Sequence, residues 1–149
     1  MKFLSLLLPV ILSAASAQAA STFKLDDIYT NNCEAAQTKV NLLNSSYAAV
    51  TTVCEPYAQG GYTAQNGKTY DYELHTTVTL NFDLPVGSSL SLADINTNNC
   101  VALKKEIAIL GTSAVQVIPT CSVYMAQGYK SEAGKLYDYR LYTTVQLLK

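Results

Sequence analysis

The clearest alternation of apolar and polar positions runs from Tyr70 to Phe82. Tyr70, Tyr72, Leu74, Thr76, Val78, Leu80 and Phe82 fall on one face, and Asp71, Glu73, His75, Thr77, Thr79 and Asn81 on the other. Successive side chains of a strand point to opposite faces, so this segment is predicted to be a half-buried β-strand with the first set inward. The pattern returns 67 residues later, where Tyr137, Tyr139, Leu141, Thr143, Val145 and Leu147 take the inward positions.

A different period precedes each strand. Cys33, Ala36, Val40 and Leu43 recur at helical spacing, as do Cys100, Leu103, Ile107 and Leu110 in the second copy. Each run follows Thr-Asn-Asn, at residues 30–32 and 97–99, whose side chains suit the free amides at a helix start. Asn44 and Gly111 are the expected C-terminal stops. Residues 48–54 and 115–121, rich in Val, Thr and Ile, read as strands. Beyond them Gly60-Gly61 and Gly128 predict a bulge or bend, and Asn66-Gly67, with its counterpart Ala133-Gly134, predicts a hairpin turn. Short extended or turn-like pieces at residues 23–28 and 90–95 open the two copies.

The constant offset, held without a gap at both cysteine pairs, is the mark of a tandem duplication. The expected fold is α+β: two tandem repeats, each a helix packed on a small antiparallel β-sheet in βαββ-like order, with one disulfide inside each repeat. The expected boundaries are a signal peptide at 1–19, module 1 at 20–83, a linker at 84–89 and module 2 at 90–149. So short a linker predicts that the repeats pack on each other, edge to edge or face to face.

The leader reading rests on Lys2, an apolar run from Phe3 to Leu12 and the Ala17-Gln18-Ala19 end, which together resemble a secretory signal cleaved before Ala20. The remainder has no apolar run long enough for a membrane helix. In an oxidising compartment four cysteines imply two disulfides, with three possible connectivities. A copied unit that folds alone keeps its bond within itself, which selects Cys33 with Cys54 and Cys100 with Cys121. A zinc or redox site fits poorly, because there is no C-x-x-C pair and the single histidine, His75, is replaced by Tyr142 in the second copy. Asp94-x-Asn96-x-Asn98 departs from a calcium loop at Asn99 and Lys105, so Asx turns and capping explain it better. Asn44-Ser45-Ser46 is formally a glycosylation sequon, but the Ala-rich leader reads as bacterial and no glycan is expected.

Without Lys2 the chain carries nine Lys plus Arg against eleven Asp plus Glu, too few positive charges for a nucleic-acid surface. Residues 22–82 have a net charge of −3 and residues 89–149 of +2, which favours the halves facing each other. Eleven tyrosines and no tryptophan are the most unusual feature of the composition. Tyr57 and Tyr62, and their counterparts Tyr124 and Tyr129, lie beside the glycines and form the candidate binding surface; Tyr70 and Tyr72 share the inward register and read as packing.

No nucleophile elbow, phosphate loop or metal motif is present, so no catalytic residue, metal or cofactor is assigned and the protein is not expected to be an enzyme. His75 reads as solvated, on the wet face of its strand. The expected function is that of an exported, non-enzymatic binding protein of the periplasm or extracellular space, whose partner is a protein or envelope component. The alternatives are a secreted inhibitor that inserts residues 58–61 or 126–128 into a protease or muramidase, and a small carbohydrate-binding module.

Overall fold

Strands, helices and turns fall where the two periodicities change. The structure, a computed structural model, describes residues 19–149; the leader expected at residues 1–19 lies outside the described residues apart from Ala19, whose backbone opens the first strand. The first half runs β1 (Ala19–Lys24), β2 (Ile28–Thr30), α1 (Cys33–Asn41), β3 (Ala48–Pro56), β4 (Tyr62–Thr63), β5 (Thr69–Tyr70) and β6 (Tyr72–Pro85). The second runs β7 (Ser89–Ser91), β8 (Ile95–Thr97), α2 (Cys100–Ala108), β9 (Val115–Val123), β10 (Tyr129–Lys130), β11 (Leu136–Tyr137) and β12 (Tyr139–Leu147).

Each half is a sheet with a helix on it, and the alternating segment is the central strand. β3 lies antiparallel along one edge of β6, from Ala48 opposite Leu80 to Pro56 opposite Tyr72, while β1 and β2 divide the other edge. β12 is flanked in the same way by β9 and by β7 with β8. Leu74, Thr76, Val78 and Leu80 are buried, as are Leu141, Thr143, Val145 and Leu147. Tyr72 and Phe82, expected inward, are exposed. Tyr72 opens a strand of about 46 Å that overhangs a helix of about 14 Å, whereas Phe82 falls in the register irregularity between the Ala20–Leu84 and Thr22–Thr79 pairs, beyond which Leu84 is buried again.

Thr-Asn-Asn does more than cap. Asn32 and Asn99 accept hydrogen bonds from the Ala35 and Ala102 amides at 3.1 and 3.2 Å, and the hydroxyls of Thr30 and Thr97 accept from the caps' own amides. The middle residues reach across the sheet instead: Asn31 accepts from the Asp71 amide at 2.7 Å and donates to the Thr69 carbonyl at 3.0 Å, and Asn98 does the same to Asp138 and Leu136. The helices end without the left-handed residue expected at Asn44 and Gly111. Asn44 ties the end of α1 to β3 with its side chain, donating to the Asn41 carbonyl and accepting from the Val50 amide.

The first residue of each helix is a cysteine bonded to the strand behind it. Cys33 joins Cys54 and Cys100 joins Cys121, with Cα separations of 6.1 and 6.0 Å. Beneath each helix lies a threonine, Thr76 or Thr143, 1 % and 0 % exposed, whose hydroxyl has no hydrogen-bond partner. A buried unpaired hydroxyl costs about 1–3 kcal/mol. Thr143→Val, which keeps the shape and removes the oxygen, is therefore expected to stabilise the protein by about 1 kcal/mol, read as a higher midpoint in urea; a lower midpoint would show that the hydroxyl is satisfied in solution.

The halves meet at the helix ends, and among the described residues no strand of one sheet pairs with a strand of the other. The Asp26 amide donates to the Leu110 carbonyl at 2.8 Å and the Ala93 amide to the Leu43 carbonyl at 3.1 Å. Lys39 Nζ meets Glu106 Oε2 at 2.8 Å. In all three contacts the residues bridged or exchanged stand 67 positions apart, the reciprocal pattern of an isologous interface. A symmetric homodimer would bring like charges together at such a position, whereas here it carries one lysine and one glutamate. The pair also takes its lysine from the net-negative half and its glutamate from the net-positive one. The charge asymmetry between the halves is therefore not what joins them, and an ion pair this exposed contributes about 0–1 kcal/mol. Both halves share one apolar cluster, to which Leu25 and Leu92 from the bends and Leu43 and Leu110 from the helix ends belong.

Candidate functional site

The ladder between β3 and β6 continues past Tyr72 only as far as the Tyr57 amide, which donates to the Asp71 carbonyl at 2.9 Å. Residues 58–61 then bulge out on one side, and pairing resumes with Tyr62 opposite Tyr70. The glycines permit this close return. Gly61 has φ +66°, and a Cβ there would stand 2.6 Å from the Tyr70 carbonyl oxygen; Gly128 has φ +67° and the corresponding distance to Tyr137 is 2.8 Å. At the tip, Ala64 and Lys68 close a three-residue loop with Gly67 in the left-handed region, the G1-bulge turn.

The consequence is a cluster of tyrosines. The Tyr57 and Tyr62 rings stack with centroids 5.7 Å apart, and Tyr29 from β2 stacks on Tyr62 at 4.3 Å. Tyr29 also lies 6.2 Å from Tyr57 and 6.3 Å from Tyr70, over which Lys68 Nζ is held at 5.2 Å. Tyr29 is 38 % exposed, and Tyr57, Tyr62 and Tyr70 are half-buried. Partial burial, then hydrogen bonding to Glu73 and that carboxylate's charge, hold the Tyr57 phenol above its ordinary value of 10.0. Tyr29 is raised too, by burial and then by the charge of Glu73. Both phenols therefore remain neutral hydrogen-bonding groups through the physiological range.

The second half builds a smaller version. Tyr124 and Tyr129 stack at 5.5 Å, but Asn96 stands where the first half has Tyr29 and accepts a hydrogen bond from the Tyr124 hydroxyl at 2.6 Å. The candidate surface thus separates into Tyr57 with Tyr62 and Tyr124 with Tyr129, and only the first pair is enlarged by two further rings. Tyr70, read as core packing, is half-buried and faces a cleft.

Two clefts flank the first cluster. One, of about 420 Å³, has Tyr29, Lys68 and Tyr70 on one wall and Glu106, Ile107 and Ile109 of the other half on the opposite wall. The second, of about 470 Å³, lies between Tyr29, Tyr62, Asn66 and Ile109. Tyr29, Tyr70 and Ile109 border both, so a ligand in either would touch both halves. The signal for Tyr29 was hard to find, because comparing the repeats discards a tyrosine matched by Asn96. Lys68 is matched by Lys135, which stands over Tyr137 at the same 5.2 Å.

His75, expected to be free in solvent, is half-buried and paired: its Nδ1 lies 2.8 Å from Asp27 Oδ1. The hydrogen bond to Asp27 is the largest influence and raises the imidazole above its ordinary value, against an opposing effect of burial. Nε2 faces Glu55 at 3.4 Å and Glu73 at 4.0 Å, so this His-Asp pair is directed at carboxylates and not at a hydroxyl or thiol. The chain matches no protein-family model, no curated protein and no solved structure.

Proposed function

We propose that this chain is an exported, non-enzymatic binding protein of the periplasm or extracellular space. In this reading it consists of two copies of one βαββ-like module, each stapled by its own disulfide, and it engages a partner protein or envelope component through the tyrosines of the first half. The observation that carries the reading is the cluster of Tyr29, Tyr57, Tyr62 and Tyr70 set beside clefts that the second half completes. Tyrosine offers rigid apolar area with a polar tip at low entropic cost, which is why it is enriched at interfaces. The two disulfides fit an oxidising compartment, and among the described residues no helix is long and apolar enough to cross a membrane.

The test is capture: immobilised oxidised protein is exposed to envelope and culture-fluid fractions, and its retained material is compared with that of a Tyr62→Ala, Tyr129→Ala variant. Loss of a retained component from the variant is expected, whereas equal retention would remove the tyrosines from the account. Retained polysaccharide in place of protein would favour the carbohydrate-binding alternative. The inhibitor alternative draws support from the loop of the second half, where Met125 is 91 % exposed beside Ala126 at φ 23°. A captured hydrolase whose activity falls on binding would favour it.

A further inference from the structure

On the solvent face of the first sheet, opposite the helix, the two halves differ in charge at one place. In the second half Arg140 pairs with Asp94 and lies over the Tyr142 ring at 4.8 Å, so a guanidinium neutralises the carboxylate from the β7–β8 bend. In the first half the equivalents are Glu73 for Arg140, Asp27 for Asp94, His75 for Tyr142 and Glu55 for Ser122. Glu55 and Glu73 stand directly opposite each other across β3 and β6, an arrangement that is destabilising for like charges. The built-in cation of one half is thus replaced in the other by three carboxylates around an imidazole.

The geometry points to a divalent transition-metal site of the zinc class, with His75 Nε2, Glu55 and Glu73 as ligands and Asp27 as the group that orients the histidine. Asp27 accepts from Nδ1–H, so in the neutral imidazole the lone pair lies on Nε2, the carboxylate–histidine arrangement that supports metal ligation, and zinc would displace the proton that Nε2 carries in the imidazolium. Zinc bonds of about 2.0–2.2 Å in a tetrahedron separate neighbouring donors by about 3.4 Å. Nε2 lies 3.4 Å from Glu55 Oε2 and 4.0 Å from Glu73 Oε2; Asp27, Glu73 and His75 already offer donor atoms within 4.8 Å of one another, and the exposed Glu55 side chain has to turn toward Glu73 to complete the set. A nitrogen with two carboxylate oxygens suits zinc over magnesium or calcium, and three protein donors leave a fourth position open to water or to a partner's group. The ligands come from β3 and β6 and the orienting group from the β1–β2 bend, and every one is reachable from solvent.

The experiment is calorimetric titration of the untagged, oxidised protein with zinc chloride, alongside a Glu73→Arg, His75→Tyr variant that carries the second half's residues. One equivalent of zinc is expected to bind the wild type and shift its His75 ring resonances, with magnesium giving no comparable response. The double variant is expected to bind none while keeping a cooperative melt, and Asp27→Asn to weaken binding about 10–100-fold. The site is refuted by unmoved His75 resonances at saturating zinc, by equal binding to the folded double variant, or by an equal response to magnesium.

Discussion

Replacing Cys33 and Cys54 by alanine, or Cys100 and Cys121, is expected to lower the unfolding free energy by about 3 kcal/mol for either pair. Each bond closes a loop between cysteines 21 residues apart, and in the chain-entropy description that constraint on the unfolded state supplies most of the effect. The native contribution has the same sign. Each bond pins the first turn of a nine-residue helix, too short to persist alone, to the strand it packs beside. Units of about 60 residues bury little surface for their length, so a loss of this size is a large part of what holds each half together. Because both halves share one apolar cluster, either replacement is expected to move a single transition instead of splitting it. Urea unfolding of the oxidised protein and the two variants checks both statements. A loss below about 1 kcal/mol would mean that the unfolded chain is already constrained without the bond.

Leu43→Ala and Leu110→Ala are each expected to cost about 2–5 kcal/mol, and by similar amounts. Both leucines are fully buried, both follow a helix end, and the carbonyl of each accepts the hydrogen bond that comes across from the other half. Truncation leaves a cavity at the place where the halves join, and a tightly packed junction collapses only partly into it. The equality follows from the reciprocal contacts. If Leu43→Ala were severe and Leu110→Ala mild in the same urea assay, the halves would not contribute equally to one junction.

Most of the fold could be read from periodicity, since each period marks which face of an element is covered. Cys100, Leu103, Ile107 and Leu110 are buried as expected, and Asn32 and Asn99 cap their helices. The disulfides were legible because reading the 67-residue offset as a duplication reduces three connectivities to one, and each half holds one bond. What escaped depends on residues distant in the chain. Asn31 binds the backbone at Thr69 and Asp71, and nothing local distinguishes it from a cap residue. Tyr72 and Phe82 fit the alternation of the sequence, but alternation reveals neither the short helix that leaves Tyr72 uncovered nor the register irregularity at Phe82, beyond which Leu84 is buried.

Within the site, Tyr57 with Tyr62 and Tyr124 with Tyr129 were visible because they recur beside glycines. Tyr29 and the charged group around His75 were not, because both lie where the copies diverge. Asp27, Glu55, Glu73 and His75 meet only once the strand register is set. Tyr29, Glu55, Glu73 and His75 are matched by Asn96, Ser122, Arg140 and Tyr142, so no repeated pattern marks them.

The binding account stands or falls on the capture comparison, with oxidised wild type and the Tyr62→Ala, Tyr129→Ala variant immobilised at equal density and exposed to the same fractions. Both must first show the same cooperative melt, so that a difference in retention reports the surface and not the fold. Truncating Tyr62, which stacks on both Tyr29 and Tyr57, at about 2 kcal/mol is expected to reduce retention of the specific component by well over tenfold, with Tyr129→Ala adding little. Retention that is undiminished in a folded variant would contradict the account and leave the tyrosines as packing alone.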